Sequence, residues 1–181
     1  MIIKSYEIQR NPSNFIKYNL FLLYGENDGL RKDIRESIKV AVNQQNIQIE
    51  LLSLYESDII NNDENFYNSI YSGSLFSNKK IITINNGTDK IIKQVKDIVE
   101  KLPENIFLII FSGVLDKKNK LRNLFETNIK TLCIPCYLDS DKDLEIIAKT
   151  EFKKNDIILS RELINLLIEK SNNDRNNLRN E

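Results

Sequence analysis

Tyr71-Ser72-Gly73-Ser74-Leu75-Phe76-Ser77-Asn78-Lys79-Lys80-Ile81-Ile82-Thr83-Ile84 passes from a small-residue loop through an adjacent Leu-Phe pair and two lysines into a β-branched run. The tract from Lys79 to Asn85 predicts a buried strand, because its side chains are bulky and β-branched and the run stops at the turn signal Asn86-Gly87. Gly73, set between two serines, interrupts the helical pattern that precedes it. Leu75 and Phe76 therefore fall at a helix-to-strand junction on one rim of a sheet, where an apolar pair is either core or contact surface.

Working outward, the chain alternates strand and helix. Asn11-Pro12-Ser13 can start a short first helix before the apolar run Leu20 to Tyr24, which predicts the first buried strand. That strand ends at Gly25. Leu30, Ile34, Ile38, Ala41 and Val42 then recur at spacings of three and four, the signature of an amphipathic helix. Ile47, Ile49, Leu51 and Leu52 mark a second strand, followed by an acidic turn at Glu56-Ser57-Asp58 and a helix from about Asp63 to Tyr71. After the opening stretch, Ile91, Ile92, Val95, Ile98, Val99 and Leu102 give another amphipathic helix, closed by Pro103. The almost wholly apolar Ile106 to Phe111 reads as a strand buried on both faces. A helix near Lys118 to Thr127 and a strand from Thr131 to Ile134 complete the pattern. Five strands separated by helices predict an α/β fold with a mainly parallel sheet and helices on both faces. From Asp139 onward the pattern is helical only, with Ser160 as a candidate N-cap and Leu163, Leu166, Leu167 and Ile168 marking one helix. The expected division is thus residues 1–138 and a small helical domain at 139–181, whose third, polar helix pattern stops partway.

Composition bounds the function. The chain has 181 residues, of which 41% are hydrophobic, enough for a real core. No apolar run approaches the roughly 20 residues that a membrane span needs, and Lys4, Glu7 and Arg10 interrupt any signal-peptide pattern, so the cytoplasm is the expected location. The 26 basic and 26 acidic residues cancel, so no global field draws nucleic acid. Histidine is absent, which removes the commonest general base and zinc ligand.

Two stretches imitate chemical motifs. Gly25-Glu26-Asn27-Asp28-Gly29-Leu30-Arg31-Lys32 lies where a phosphate-binding loop would lie, but Leu30-Arg31-Lys32 replaces the required Gly-Lys-Ser/Thr. Glu26 and Asp28 would also repel a triphosphate. The strand Ile106 to Phe111 ends in Ser112-Gly113 with no carboxylate for magnesium, and Asp116 further on is expected to cap the next helix. Cys133-Ile134-Pro135-Cys136 has redox-pair spacing, yet it runs out of a strand rather than into a helix. A half-buried strand cysteine and a loop cysteine are expected. No cofactor and no metal are implied.

The order of Leu22-Leu23-Tyr24-Gly25-Glu26, Gly73-Ser74-Leu75-Phe76 with Lys79-Lys80-Ile81-Ile82, and Leu115-Asp116-Lys117-Lys118-Asn119-Lys120-Leu121 resembles the delta subunit of bacterial DNA polymerase III. The likeness extends through Cys136-Tyr137 and Ile157-Ile158-Leu159-Ser160 to Asn173-Asp174. It implies a RecA-type, AAA+-like first domain without a working P-loop, a helical lid-type domain that here is truncated, and a C-terminal collar domain absent from this sequence. It further implies a clamp-loader subunit in DNA replication with no catalytic site of its own, although its holoenzyme is a DNA-directed DNA polymerase. Its implied partners are the beta sliding clamp, the delta prime and gamma or tau subunits, and primer-template DNA reached through the assembled loader. Within the family the Ser-Leu-Phe element inserts into a clamp pocket, and Ser74, Leu75 and Phe76 occupy the matching positions. An unrelated interaction domain on a P-loop-like scaffold and a degenerate nucleotide-binding enzyme are the competing classes.

Geometry favours exposure of the pair. Neighbouring residues at a helix end point about 100° apart, and Ser72, Gly73, Ser74, Ser77 and Asn78 offer no apolar cover. An exposed apolar knob is expected. Lys79, Lys80, Lys117, Lys118 and Lys120 read as solvated surface, with no role assigned.

Overall fold

The computed structural model describes residues 1–43, 48–72 and 79–180. Five strands, β1 (Leu20–Tyr24), β2 (Ile49–Tyr55), β3 (Lys79–Asn85), β4 (Ile106–Ser112) and β5 (Thr131–Pro135), pair entirely in parallel in the order β2-β3-β4-β1-β5. The α/β sheet expected from the alternation is thus present. Its centre is the least polar sequence in the chain: Leu22 pairs with Ile110 on one side and Cys133 on the other, and all seven residues of β4 are buried. β3 stops where Asn86 adopts a φ of 59°, a left-handed conformation that asparagine tolerates better than most residues.

Alternation along the strands divides the core. Leu20, Leu22 and Tyr24 join Ile82, Ile84, Leu108 and Ile110 beneath α4 (Asp63–Tyr71), α5 (Ile92–Lys101) and α6 (Lys120–Thr127). Phe66 and Ile70, then Val95, Ile98 and Val99, then Leu121 and Phe125 are the buried stripes of those helices. The opposite face carries Ile81 and Thr83 beside α2 (Asp28–Val42), whose Leu30, Ile34, Ile38, Ala41 and Val42 are all buried as its periodicity requires. At the β5 edge, Cys133 N–H donates to Met1 O at 2.9 Å and Ile3 N–H donates to Cys133 O at 3.1 Å, so the first residues cover that edge.

Several local expectations fail for identifiable reasons. Residues 5 to 10 form α1 (Ser5–Arg10), and the stretch at Pro12–Asn14 is only a single 3-10 turn. Glu56-Ser57-Asp58 does not merely turn but opens α3 (Glu56–Asn61), because the Asp58 carboxylate accepts the Tyr55 N–H at 2.8 Å. Asp116 caps nothing: it accepts Lys118 and Asn119 N–H within its own turn. The start of α6 is held instead by the Asn119 side chain, on Arg122 N–H at 3.0 Å, and by the Asp89 carboxylate, on Lys120 and Leu121 N–H.

By internal contacts the chain falls into two compact units. Met1–Gly25 with Arg31–Cys136 is the sheet unit, and Glu26–Leu30 with Tyr137–Glu181 is the helical unit. In the latter, α7 (Asp141–Lys153), α8 (Arg161–Lys170) and α9 (Arg175–Asn180) enclose Leu144, Ala148, Ile164, Ile168 and Leu178. Ser140 and Ser160 cap α7 and α8 by accepting the N–H groups of Asp143 and Leu163. Leu163 and Leu166, read as part of the apolar stripe, are exposed, since Ile164 and Ile168 face inward instead. No helix among the described residues is long and apolar enough to cross a membrane.

Candidate functional site

Ser74, Leu75 and Phe76 lie outside the described residues, which resume on either side of their segment. α4 delivers the chain to Ser72, and β3 receives it at Lys79. Lys80, expected to be solvated, is buried to 6% side-chain exposure. Its ammonium donates to Ser69 O at 3.0 Å and Ser72 O at 3.3 Å, and it lies 3.4 Å from Glu50 Oε1 on the neighbouring strand. A cation at a helix C-terminus satisfies orphan carbonyls and complements the helix dipole. Lys79 adds a bond from its ammonium to Val42 O at 3.2 Å. The last turn of α4 and the first residues of β3 are thus tied together by one buried charge, a frame on either side of the segment. Sequence reasoning missed this use of Lys80, since adjacent lysines read as surface and the accepting carbonyls are supplied by tertiary structure.

The turn after β1 has different chemistry. Gly25 has a φ of 133°, and a Cβ there would sit 2.2 Å from Cys136 O, so only glycine fits. Arg31 stands where a P-loop would place its lysine. Its guanidinium donates to Gly25 O at 3.2 Å and to Ser112 O, lying 5.9 Å from the Phe111 ring. This cation is thus engaged by main-chain carbonyls at the ends of β1 and β4. Ser112 Oγ donates to Gly87 O at 2.7 Å, while β3 ends in Asn85-Asn86, with Asn85 donating to Ser53 Oγ and Leu54 O. Neither strand end presents a carboxylate.

Cys133 and Cys136 stand outside any disulfide; Cys133 in β5 is fully buried rather than half-buried, and Cys136, just past the strand as expected of a loop residue, is fully buried too. The reason is that pairing continues past the end of β5, with Cys136 N–H donating to Tyr24 O at 2.7 Å. Burial pushes the Cys133 thiol up to about 12, the opposite of what a reactive thiol needs. No group of three or more His, Cys, Asp or Glu side chains among the described residues is arranged to hold a metal ion.

Gly25, which follows β1, and Lys79, which begins β3, therefore lie at opposite ends of the parallel strands. The turn at Gly25 is at the C-terminal ends of the strands, where α/β sheets receive small ligands. Lys79, the first described residue after the Ser-Leu-Phe segment, stands at the N-terminal end of β3, and a strand of seven residues spans about 20 Å.

A family model for the delta subunit of DNA polymerase III matches residues 21–136, which include both stretches. A probable DNA polymerase III subunit delta from Rickettsia prowazekii is 25% identical over 153 residues, covering 83% of this chain and 44% of the relative. Among solved structures, the Bacillus subtilis DNA clamp loader delta protein superposes with a TM-score of 0.61 at 11% identity, covering 96% of this chain and 54% of that one. AMPPCP-bound DnaA from Aquifex aeolicus gives the same TM-score at 16% identity, over 97% of this chain and 58% of its own. Those likenesses show a shared AAA+-like fold, and the chain spans about half the length of the proteins it matches. With the family model spanning the whole parallel sheet, from within β1 to just past β5, the chain belongs to the DNA polymerase III delta-subunit family.

Proposed function

We propose that this chain is the clamp-contacting part of a clamp-loader delta subunit, acting in the cytoplasm during DNA replication. Leu75 and Phe76, preceded by Ser74, insert as an apolar pair into a pocket on the beta sliding clamp. The observation that carries this reading is the family match across residues 21–136, which contains the pair. Supporting it is the Lys80 frame, which fixes both ends of the segment before any partner arrives and so lowers the ordering cost of binding.

The mechanism needs no catalytic group. A contact that binds a strained or open ring more tightly than a closed one shifts the ring toward opening, and only that difference in affinity performs work. Delta prime and gamma or tau subunits, together with primer-template DNA, complete the assembly, and ATP hydrolysis belongs to loader ATPase subunits elsewhere in it.

The test is the double variant Leu75→Ala, Phe76→Ala. Filling a pocket is worth about 1.5 to 3 kcal/mol for each side chain, so clamp affinity should fall more than about a hundredfold. The thermal midpoint should stay within roughly one degree of the parent, because contact-surface residues add little to the fold. A variant that unfolds, with clamp binding lost only in proportion, would place the pair in the core and end the assignment.

A further inference from the structure

Within the helical unit, the Asp139 carboxylate is bound on three sides. Arg175 Nε donates to Oδ2 at 2.8 Å, and Arg175 Nη2 donates to Oδ1, a two-point fork; Asn27 Nδ2 donates to Oδ2 at 2.8 Å. Asn27 also donates to Tyr137 O at 3.1 Å and accepts Leu30 N–H at 2.9 Å, so it holds the first turn of α2. The stem of Arg175 lies on Gly29: a Cβ there would meet Arg175 Cγ at 2.4 Å. Asp139 and Arg175 side chains are each 5% exposed, and Asn27 equally so. By contrast, the ion pair Lys149 to Glu145 in the same unit is 59% and 34% exposed.

Burying two charges is costly unless the geometry is good and the remaining hydrogen-bond positions are filled. Here they are filled. A guanidinium fork receives a carboxylate and a phosphate in the same two-point manner. A glycine-bearing turn at the start of a long helix is also where this class of fold meets anions. These residues amount to an oxyanion site whose occupant comes from the chain itself.

We propose that Asp139 is an internal oxyanion: its carboxylate occupies a site built by Arg175, Asn27 and the Gly29 turn, so that residues 26–30 stay joined to the helical unit without any ligand. The site takes a small oxyanion, of which inorganic phosphate is the simplest probe. Glu26 and Asp28 in the same turn disfavour a polyphosphate. The inference stands independently of the clamp contact, which lies on another element.

The experiment deletes the internal anion and offers an external one. Thermal unfolding of the full chain is followed in inorganic phosphate and in chloride at matched ionic strength, for the parent, Asp139→Ala, and Asp139→Ala with Arg175→Met. Asp139→Ala should melt below the parent in chloride and recover roughly 4 °C or more in phosphate, because a ligand bound only by the folded form raises its midpoint. The parent and the double variant should show no phosphate-specific rise. Absence of recovery in Asp139→Ala, or recovery that persists without Arg175, overturns the proposal. If Asp139→Ala does not fold in chloride, the yield of refolded Asp139→Asn in phosphate against chloride decides: a phosphate-dependent gain supports the site, and equal yields overturn it.

Discussion

The sheet unit and the helical unit are stabilised by different physics. In the sheet unit, apolar side chains on both faces of a parallel sheet are removed from water, and β4 has no exposed residue. The helical unit has a small buried cluster of Leu144, Ala148, Ile164, Ile168 and Leu178, leaves Ile146, Ile158, Leu163 and Leu166 exposed, and relies on a buried ion pair and serine caps. Apolar burial is non-directional and indifferent to pH, whereas capped and ion-paired structure depends on protonation. The two units should therefore differ in how they fail.

The largest effect should come from the sheet core. Phe125→Ala removes a fully buried ring, with an expected cost of about 3 to 5 kcal/mol, the usual range for such cavities. Ile164→Ala in the helical unit should cost about 2 to 3 kcal/mol, because a small, half-covered core collapses around the gap more readily. Amide exchange read separately in β4 and α7 measures both. Equal costs would mean that the helical unit is packed as tightly as the sheet and would remove the contrast.

The same contrast explains what the sequence could reveal. β1 and β4 follow from their apolar runs because strands buried on both faces are almost continuously apolar, and α4 follows because Asp63 and Ser72 bound its apolar stripe. α1 left no trace, since Ile8 is its single buried residue and one apolar residue sets no period. α3 was hidden because acidic residues suit a helix start as well as a turn. At the candidate contact, Leu75 and Phe76 could be singled out from their polar surroundings, but the Lys80 frame could not, because its acceptors are main-chain atoms. The joint of Asn27, Asp139 and Arg175 was equally illegible: its members are separated by 112 and 36 positions, so no local pattern connects them.

Next in size are opposite pH responses. In the helical unit, the Ser140 hydroxyl holds the Asp143 carboxyl below its usual range, and Lys154 does the same for Glu151. A carboxyl lowered by folding contributes stability above its unfolded value, about 3.9 to 4.3, and loses it as pH falls through the folded value. Protection in α7 should accordingly drop below about pH 4 while β4 stays protected. In the sheet unit, burial raises Cys133 to about 12, and burial with the Asp97 hydrogen bond raises Tyr67 to about 12. Groups raised by folding stabilise below their unfolded values and stop doing so as pH climbs through the folded ones. The sheet unit should then weaken between about pH 9 and 12. An acid transition that melts β4 first would reverse the comparison.

The smallest effect concerns the cysteines. Both are buried and outside any disulfide, and Cys136 Sγ lies 3.7 Å from Ile134 O, so each serves chiefly as a small apolar side chain. Alanine is the proper replacement, because serine would bury a hydroxyl without an assured partner. Cys133→Ala with Cys136→Ala removes two sulfur atoms, at an expected cost of about 1 kcal/mol or less for each, well under the loss from Phe125→Ala. Clamp affinity should be unchanged, since the thiols sit at the β5 edge of the sheet and the proposed contact precedes β3, with two strands, β4 and β1, between them. Titration with a clamp sample and a thermal melt on the same variant give both numbers. Loss of clamp binding with the melt intact would assign the pair a role that burial and a raised thiol argue against, and the sheet unit could no longer be regarded as an apolar scaffold alone.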